Sequence, residues 1–209
     1  IIGKSKVMQD TYKLIARLVS TNLTILISGE SGTGKKLIAR AIHDLSNRSS
    51  MPFIKMNMSE VTELNLSYKN NFNKIKTSKT LSKLSNLNGG TLLIDEICDS
   101  TFYEQSELLK LLESEYLIEM TNSEIEQLKP RIILSTRKDL LDLVKKGKFR
   151  DDLYYKVNVV PIHLPPLRDR LEDIPILVEH FMKLSSNNYN DLKFISESGL
   201  KLISKFHWL

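Results

Sequence analysis

The eight residues 29–36, "GESGTGKK", constrain this chain more than any other stretch. They follow an apolar run, "LTILIS", at residues 23–28, and precede "KKLIARAIHDL", whose apolar residues recur at helical spacing. A strand, a glycine-punctuated turn and a helix in that order make a phosphate-binding loop. The glycines let backbone amides turn toward an anion, and the helix N-terminus adds positive potential. Gly29, Glu30, Ser31, Gly32, Thr33, Gly34, Lys35, Lys36 and Leu37 are therefore the candidate nucleotide-binding residues, with Lys35 reaching the β- and γ-phosphates. Lys36 stands where many such loops carry the Ser or Thr that holds Mg2+, so the metal must lean on other ligands or on water.

Four further apolar runs read as strands: "PFIKMN" at 52–57, residues 91–95, residues 131–136 and residues 158–164. Helical spacing marks residues 5–19, 35–45, 104–115 and 140–146. Apolar strands alternating with helices predict an α/β fold, a largely parallel sheet covered on both faces. After "LPPLRDR" only helical patterns remain. The expected division is an α/β nucleotide-binding core over 1–167 and a small helical lid subdomain over 168–209. "TLLIDEI" places Asp95 and Glu96 at the end of a buried strand beside the loop. There Asp95 would bind Mg2+, directly or through water, and Glu96 would orient or deprotonate the attacking water.

Composition narrows the remaining classes. The single cysteine, Cys98, excludes an internal disulfide framework and points to a reducing, cytoplasmic setting. No apolar run approaches the ~20 residues needed to span a bilayer, so no membrane partner is expected. The four histidines have no metal-ligand spacing. A formal charge of +5 permits nucleic-acid contact without requiring it, since the basic groups are spread along the chain. The chain opens without methionine and stops at "KFHWL", which reads as a piece of a longer protein.

"LISGESGTGKKLIARAIHDLSNRS", "PFIKMN", "GGTLLIDEI", "GKFRDDLYYKVNVVPIHLPPLRDRLEDIPIL" and the terminal "HWL" together resemble the AAA+ domain of sigma-54-dependent transcription activators. The resemblance covers nearly the whole chain. It implies a P-loop NTPase core that binds ATP or ADP with Mg2+ at the interfaces of a ring. It also implies a receiver domain before this segment and a helix-turn-helix DNA-binding domain after it. Carried onto matching positions, it assigns Ile1, Ile2 and Gly3 to packing near the adenine. Asn57 would switch Glu96 away from water, Thr136 would sense the γ-phosphate, and Arg150 would reach the γ-phosphate of a neighbouring subunit.

Four positions depart from that family. Lys36 replaces a glutamate and Arg137 an asparagine, while Lys156 replaces a second arginine without its planar fork. Three changes around one phosphate imply weak hydrolysis. The fourth departure is residues 67–86, "SYKNNFNKIKTSKTLSKLSN", where the sigma-54-gripping Gly-Ala-Phe-Thr-Gly-Ala loop belongs. The stretch has no glycine, and glycine is what permits the tight turn at such a tip. Residues 67–77 read as a solvated turn and 78–86 as a helix entering the next strand. Loss of this loop resembles the NtrX branch of two-component regulators, partnered by an NtrY-type sensor kinase. The expected function is an ATP-binding regulator that assembles with itself and does not remodel sigma-54. A true sigma-54 activator ATPase is the alternative, and a small-molecule P-loop kinase fails for want of clamping arginines and an acceptor site.

Overall fold

The computed structural model describes residues 1–69, 87, 89–113, 130–185, 195–206 and 208. Its centre is a five-stranded, wholly parallel sheet: β1 (Ile25–Ser28), β2 (Phe53–Met56), β3 (Thr91–Ile94), β4 (Arg131–Thr136) and β5 (Val160–His163) in the order β2-β3-β4-β1-β5. The register sets Leu26 beside Leu134 and Pro161, and Leu93 beside Ile133. Alternate residues feed two apolar layers, because successive strand side chains point to opposite faces. Leu26, Leu92, Ile94, Ile132 and Leu134 pack on one side, while Ile25, Ile27, Leu93, Ile133 and Ile162 pack on the other. Helices α1 (Lys6–Leu18) and α2 (Lys35–Asp44) close the second layer through Ile15, Leu18, Ile38 and Ile42. Helices α3 (Met58–Lys69), α4 (Phe102–Leu112), α5 (Leu140–Lys145) and α6 (Asp151–Val157) close the first.

Local chemistry fixes where these helices begin and end. Thr101 and Glu104 form a reciprocal capping box, which starts α4 two residues earlier than its apolar spacing predicts. Asp139 caps α5 by accepting from the Leu141 and Asp142 amides. Gly147, at φ 63°, ends α5 with paired bonds from Gly147 N to Val144 O and Lys148 N to Leu143 O. Sequence spacing gives no helix at 58–69 or 151–157, yet both form. The first begins at Asn57, whose side chain accepts from Glu60 N at 2.9 Å while Glu60 Oε2 accepts from Asn57 N at 2.9 Å. The solvated turn expected from residue 67 is therefore corrected: residues 67–69 are the last turn of α3. The helix expected over 78–86 lies outside the described residues.

At the N-terminal edge of the sheet, Arg131 is 1% exposed and donates to Leu18 O and Val19 O at the end of α1. Burial, with the nearby Arg48 guanidinium adding to it, pushes its pKa down to about 10. Arg48 donates to the Gly89 and Gly90 carbonyls and to Asn22.

Beyond β5, two short 3-10 turns, Leu167–Asp169 and Leu171–Asp173, lead into α7 (Ile174–Ser185), and α8 (Glu197–Lys205) follows. Asp173, fully buried, fastens this segment to the start of the chain. Its carboxylate accepts from Lys4 N at 2.6 Å, Ser5 N at 2.7 Å and Ser5 Oγ at 2.9 Å. Three donors on one buried carboxylate are a strong local anchor, since hydrogen bonds to charged groups exceed neutral ones. Asp173→Ala strands those donors, and the expected destabilisation is about 2–3 kcal/mol. Equilibrium urea unfolding checks this, and a change under about 0.5 kcal/mol would remove Asp173 from the anchor.

Candidate functional site

The C-terminal edge of the sheet gathers the ends of β1, β3 and β4, which is where parallel α/β sheets place their ligands. β1 runs into the phosphate-binding loop and α2 leaves it. Gly29 sits where a Cβ would lie 2.6 Å from Leu164 O and 2.9 Å from Thr33 Oγ1, so no larger residue fits without displacing backbone. Gly34 has φ 98° and forms the N-cap of α2, a conformation that favours glycine. The loop therefore delivers the first amides of α2, whose partners are not supplied within the helix, to one open face.

Lys35 curls into this loop and is 7% exposed. Its ammonium donates to Gly29 O at 2.8 Å and Glu30 O at 3.1 Å, and pairs with Glu96 Oε1 at 3.1 Å. Thr33 Oγ1 closes the turn by donating to Glu30 O. Ser31, Gly32 and Leu37 stand on the outer side, Leu37 being 71% exposed.

Asp95 and Glu96 follow β3 directly. Ser135 on β4 orients both: its hydroxyl donates to Asp95 Oδ1 at 2.5 Å and accepts from Glu96 N at 3.0 Å. The other Asp95 oxygen, Oδ2, receives two ammoniums, Lys36 Nζ and Lys55 Nζ, each at 3.0 Å. Burial pushes the Asp95 carboxyl up, but the Ser135 hydroxyl and the two ammoniums outweigh it, and its pKa lies below the ordinary aspartate value. Glu96 has φ 54°, the only positive φ among the described non-glycine residues. A left-handed conformation costs a side chain about 1–2 kcal/mol. Here it turns the Glu96 carboxylate toward Lys35, with Cys98 Sγ 3.6 Å from its second oxygen.

These residues do not fit a divalent cation held directly by Asp95. Mg2+ wants near-octahedral oxygen donors at about 2.0–2.1 Å. Lys36 offers donors only, and both Asp95 oxygens are already engaged.

The other expected site residues are placed as follows. The Thr136 side chain accepts from Lys138 N and donates to Lys138 O, within its own turn, while its carbonyl accepts from Gly29 N at 3.1 Å. Arg137, in the position of the family asparagine, pairs with Asp99 at 2.9 Å, as does Lys138 at 2.8 Å. Asn57 caps α3 and takes the Ser59 hydroxyl as well; its recorded partners are Ser59 and Glu60, not Glu96. Arg150 forks onto Asp152 through Nε at 2.9 Å and Nη2 at 2.7 Å, with Nη1 on Ser106 Oγ at 3.1 Å. Its backbone is held by Gln105, which also donates to Ser100 O and Lys148 O. Lys156 is exposed on α6. Ile1 is 56% exposed, while Gly3 is pressed against Tyr12 and Asp173, where a Cβ would lie 2.8 Å from the Tyr12 hydroxyl.

Sequence reasoning did not single out Lys55, Ser135, Arg168, Arg170 or Asp173. Arg168 pairs with Glu30 inside the loop, and this hydrogen bond holds the Glu30 carboxyl below its usual pKa. Arg170 bridges Met8 Sδ at 3.1 Å and Thr33 O at 3.2 Å, tying the opening segment to the loop. The "LPPLRDR" motif contained both arginines, but their partners lie more than a hundred residues away in sequence. A cavity of about 350 Å³ lined by Asn22, Ser46, Arg48 and Arg131 opens at the opposite edge. Both of its arginines bond backbone carbonyls, so it has neither the glycine turn nor the carboxylates of the loop edge.

The comparisons agree with this arrangement. Residues 1–163 match the sigma-54 interaction domain. The DNA-binding transcriptional regulator NtrC of Rhizobium meliloti (strain 1021) is 41% identical across the whole chain, which spans 44% of that protein. NtrX from Brucella abortus, in complex with ATP, superposes with a TM-score of 0.80 at 32% identity, covering 100% of this chain and 48% of that one. The same protein in complex with ADP gives the same TM-score and identity. At 20% identity and a TM-score of 0.53, the P-loop NTPase domain of an Escherichia coli sigma-54 activator shares the fold over 79% of this chain and 99% of its own. The chain thus spans about half the length of the relatives it matches. A parallel sheet ending in a glycine loop, an Asp-Glu pair and a match over residues 1–163 place the chain in the sigma-54 interaction domain family.

Proposed function

We propose that this chain is the ATP-binding AAA+ central domain of an NtrX-like response regulator, in which ATP or ADP governs assembly of copies of the protein and so controls transcription. The observation that carries this reading is the 29–36 loop with Lys35 drawn into it beside Asp95 and Glu96. NtrX of Brucella abortus, described in complex with ATP and with ADP, supports it.

In this reading the α2 amides and Lys35 receive the phosphates, and Ile1, Ile2 and Gly3 flank the adenine. Lys35 exchanges its bonds to the Gly29 and Glu30 carbonyls for phosphate oxygens. Glu96 then orients water, and Asn57 leaves its helix cap to restrain Glu96. Arg150 exchanges Asp152 for the γ-phosphate bound by a neighbouring copy. Residues 168–209 serve as the lid, and Arg168 on Glu30 links it to the loop. Thr136 remains the γ-phosphate sensor, but Arg137 tied to Asp99 and Lys36 tied to Asp95 support slow turnover. Mg2+ held directly by Asp95 is left out of this reading because the Asp95 donor set opposes it. A receiver domain addressed by an NtrY-like sensor kinase and a helix-turn-helix domain on DNA complete the regulator outside this chain. The setting is cytoplasmic; among the described residues no helix is long and apolar enough to cross a membrane.

Sigma-54 is not a partner in this reading, because residues 67–86 carry no glycine and no Gly-Ala-Phe-Thr-Gly-Ala sequence. The family match and the NtrC relatives favour the second reading, a sigma-54-dependent activator ATPase.

Titration with ATP and ADP tests the core of the proposal. Wild type is expected to bind both, and Lys35→Ala to lose at least about tenfold in affinity, the scale of one charge-assisted contact set. Normal affinity in Lys35→Ala would remove the loop from nucleotide binding. Capture of purified sigma-54 in the presence of ATP and a transition-state analogue separates the two readings. No capture is expected; a stable complex, together with turnover that Glu96→Gln abolishes, would establish the activator instead.

A further inference from the structure

We infer that nucleotide is held in this P-loop without a divalent cation, the Lys36 ammonium supplying the positive charge that Mg2+ supplies in other loops of this kind. This deepens the proposal above and rests on residues 29–36 binding a nucleoside polyphosphate.

Lys36 is the second residue of α2, directly after the phosphate-directed Lys35, where many metal-dependent loops present a hydroxyl and the resembled family a glutamate, neither of them a cation. Its side chain carries a fixed positive charge and no acceptor. Its ammonium lies 3.0 Å from Asp95 Oδ2, and Lys55 Nζ lies at the same distance from that same oxygen. A divalent cation on this oxygen would be repelled by both. The second oxygen takes the Ser135 hydroxyl at 2.5 Å, so both oxygens of the carboxylate hold partners from the chain.

The neighbouring carboxylates are paired in the same way. Glu96 is paired with Lys35, Glu30 with Arg168, and Asp99 with both Arg137 and Lys138. Glu96, Cys98 and Asp99 bring their ligand atoms within 4.8 Å of one another, yet both carboxylates of that group already hold a basic side chain. Among the described residues, the four carboxylates Glu30, Asp95, Glu96 and Asp99 are matched by six basic side chains. That surplus is the charge complement of a polyphosphate. Mobility is also adequate. The Lys36 side chain is 60% exposed, so its ammonium can turn from Asp95 to a phosphate oxygen at little burial cost while Lys55 keeps its place on Asp95 Oδ2.

The test is nucleotide affinity in excess EDTA and in excess Mg2+, by calorimetry or a fluorescent ADP analogue. Wild type is expected to bind ATP and ADP with affinities that agree within about threefold in the two buffers. Lys36→Thr supplies a hydroxyl ligand and removes one of the two ammoniums on Asp95 Oδ2. It is expected to bind more weakly than wild type in EDTA and to gain about tenfold or more on adding Mg2+. Thermal unfolding of Lys36→Thr alone verifies that the variant is folded. A tenfold gain from Mg2+ in wild type overturns the inference and leaves the P-loop assignment standing. Indifference of Lys36→Thr to Mg2+ also overturns it. Absence of binding by wild type in either buffer sinks the P-loop assignment and this inference together.

Discussion

The functional edge depends on how tightly the start of the phosphate-binding loop is sewn between two strands. Gly29 N donates to Thr136 O at the end of β4, and Ser28 O accepts from Leu164 N just past β5. A side chain at Gly29 would meet Leu164 O at 2.6 Å, so the loop leaves the sheet at the one place where backbone can pass. From that fixed exit the turn through Gly34 can only start α2 above β1. That brings Lys35 over the loop and Lys36 over Asp95. The close backbone approach therefore sets the geometry of every charge that follows.

Those charges fall into two groups with different consequences. Asp173 and Arg131 are buried and bond backbone partners, so they act as fixtures: removing either leaves donors or carbonyls stranded. Two further pairs, one of them at the loop, are more exposed. Arg150 and Asp152 are 36% and 50% exposed, and Arg168 and Glu30 33% and 45%. Exposed ion pairs are worth only about 0–1 kcal/mol. A highly charged ligand or a neighbouring copy can displace them at little cost. The fold is thus rigid where it holds the loop and exchangeable where the loop would meet phosphate.

Much of this was legible in the sequence because it rests on local chemistry. The run at 131–136 is the observed β4 residue for residue: its apolar centre, Ile132–Leu134, marks a strand, and all six residues are buried between the two layers. The loop and the Asp-Glu pair were legible for the same reason, each being a short pattern with a direct backbone meaning. α3 was not, because its apolar pattern is weak and its start is set by a capping box at Asn57 and Glu60. The N-x-x-E spacing was the available signal, as T-x-x-E was for the start of α4. Arg168, Arg170 and Asp173 were illegible as site residues for a different reason. Their meaning lies in contacts across the fold, and no local pattern encodes a partner so distant in sequence.

Lys36 shows how one charge reversal can alter a site without altering its fold. α2 begins where such a helix should, Gly34 caps it, and Lys35 occupies the loop. Only the charge facing Asp95 differs from what a metal-dependent loop presents. Because the Asp95 carboxylate is partly desolvated, it needs some cationic or hydroxyl partner whichever ligand is bound. Ser135, Lys36 and Lys55 meet that need within the chain. Arg137 and Lys138 do the same for Asp99 one turn further on. Two of the substitutions that depart from the sigma-54 activator pattern act alike: Lys36 places a cation against Asp95 just after β3, and Arg137 places one against Asp99 in the following turn. The charges of these carboxylates are thereby satisfied by side chains of the chain itself.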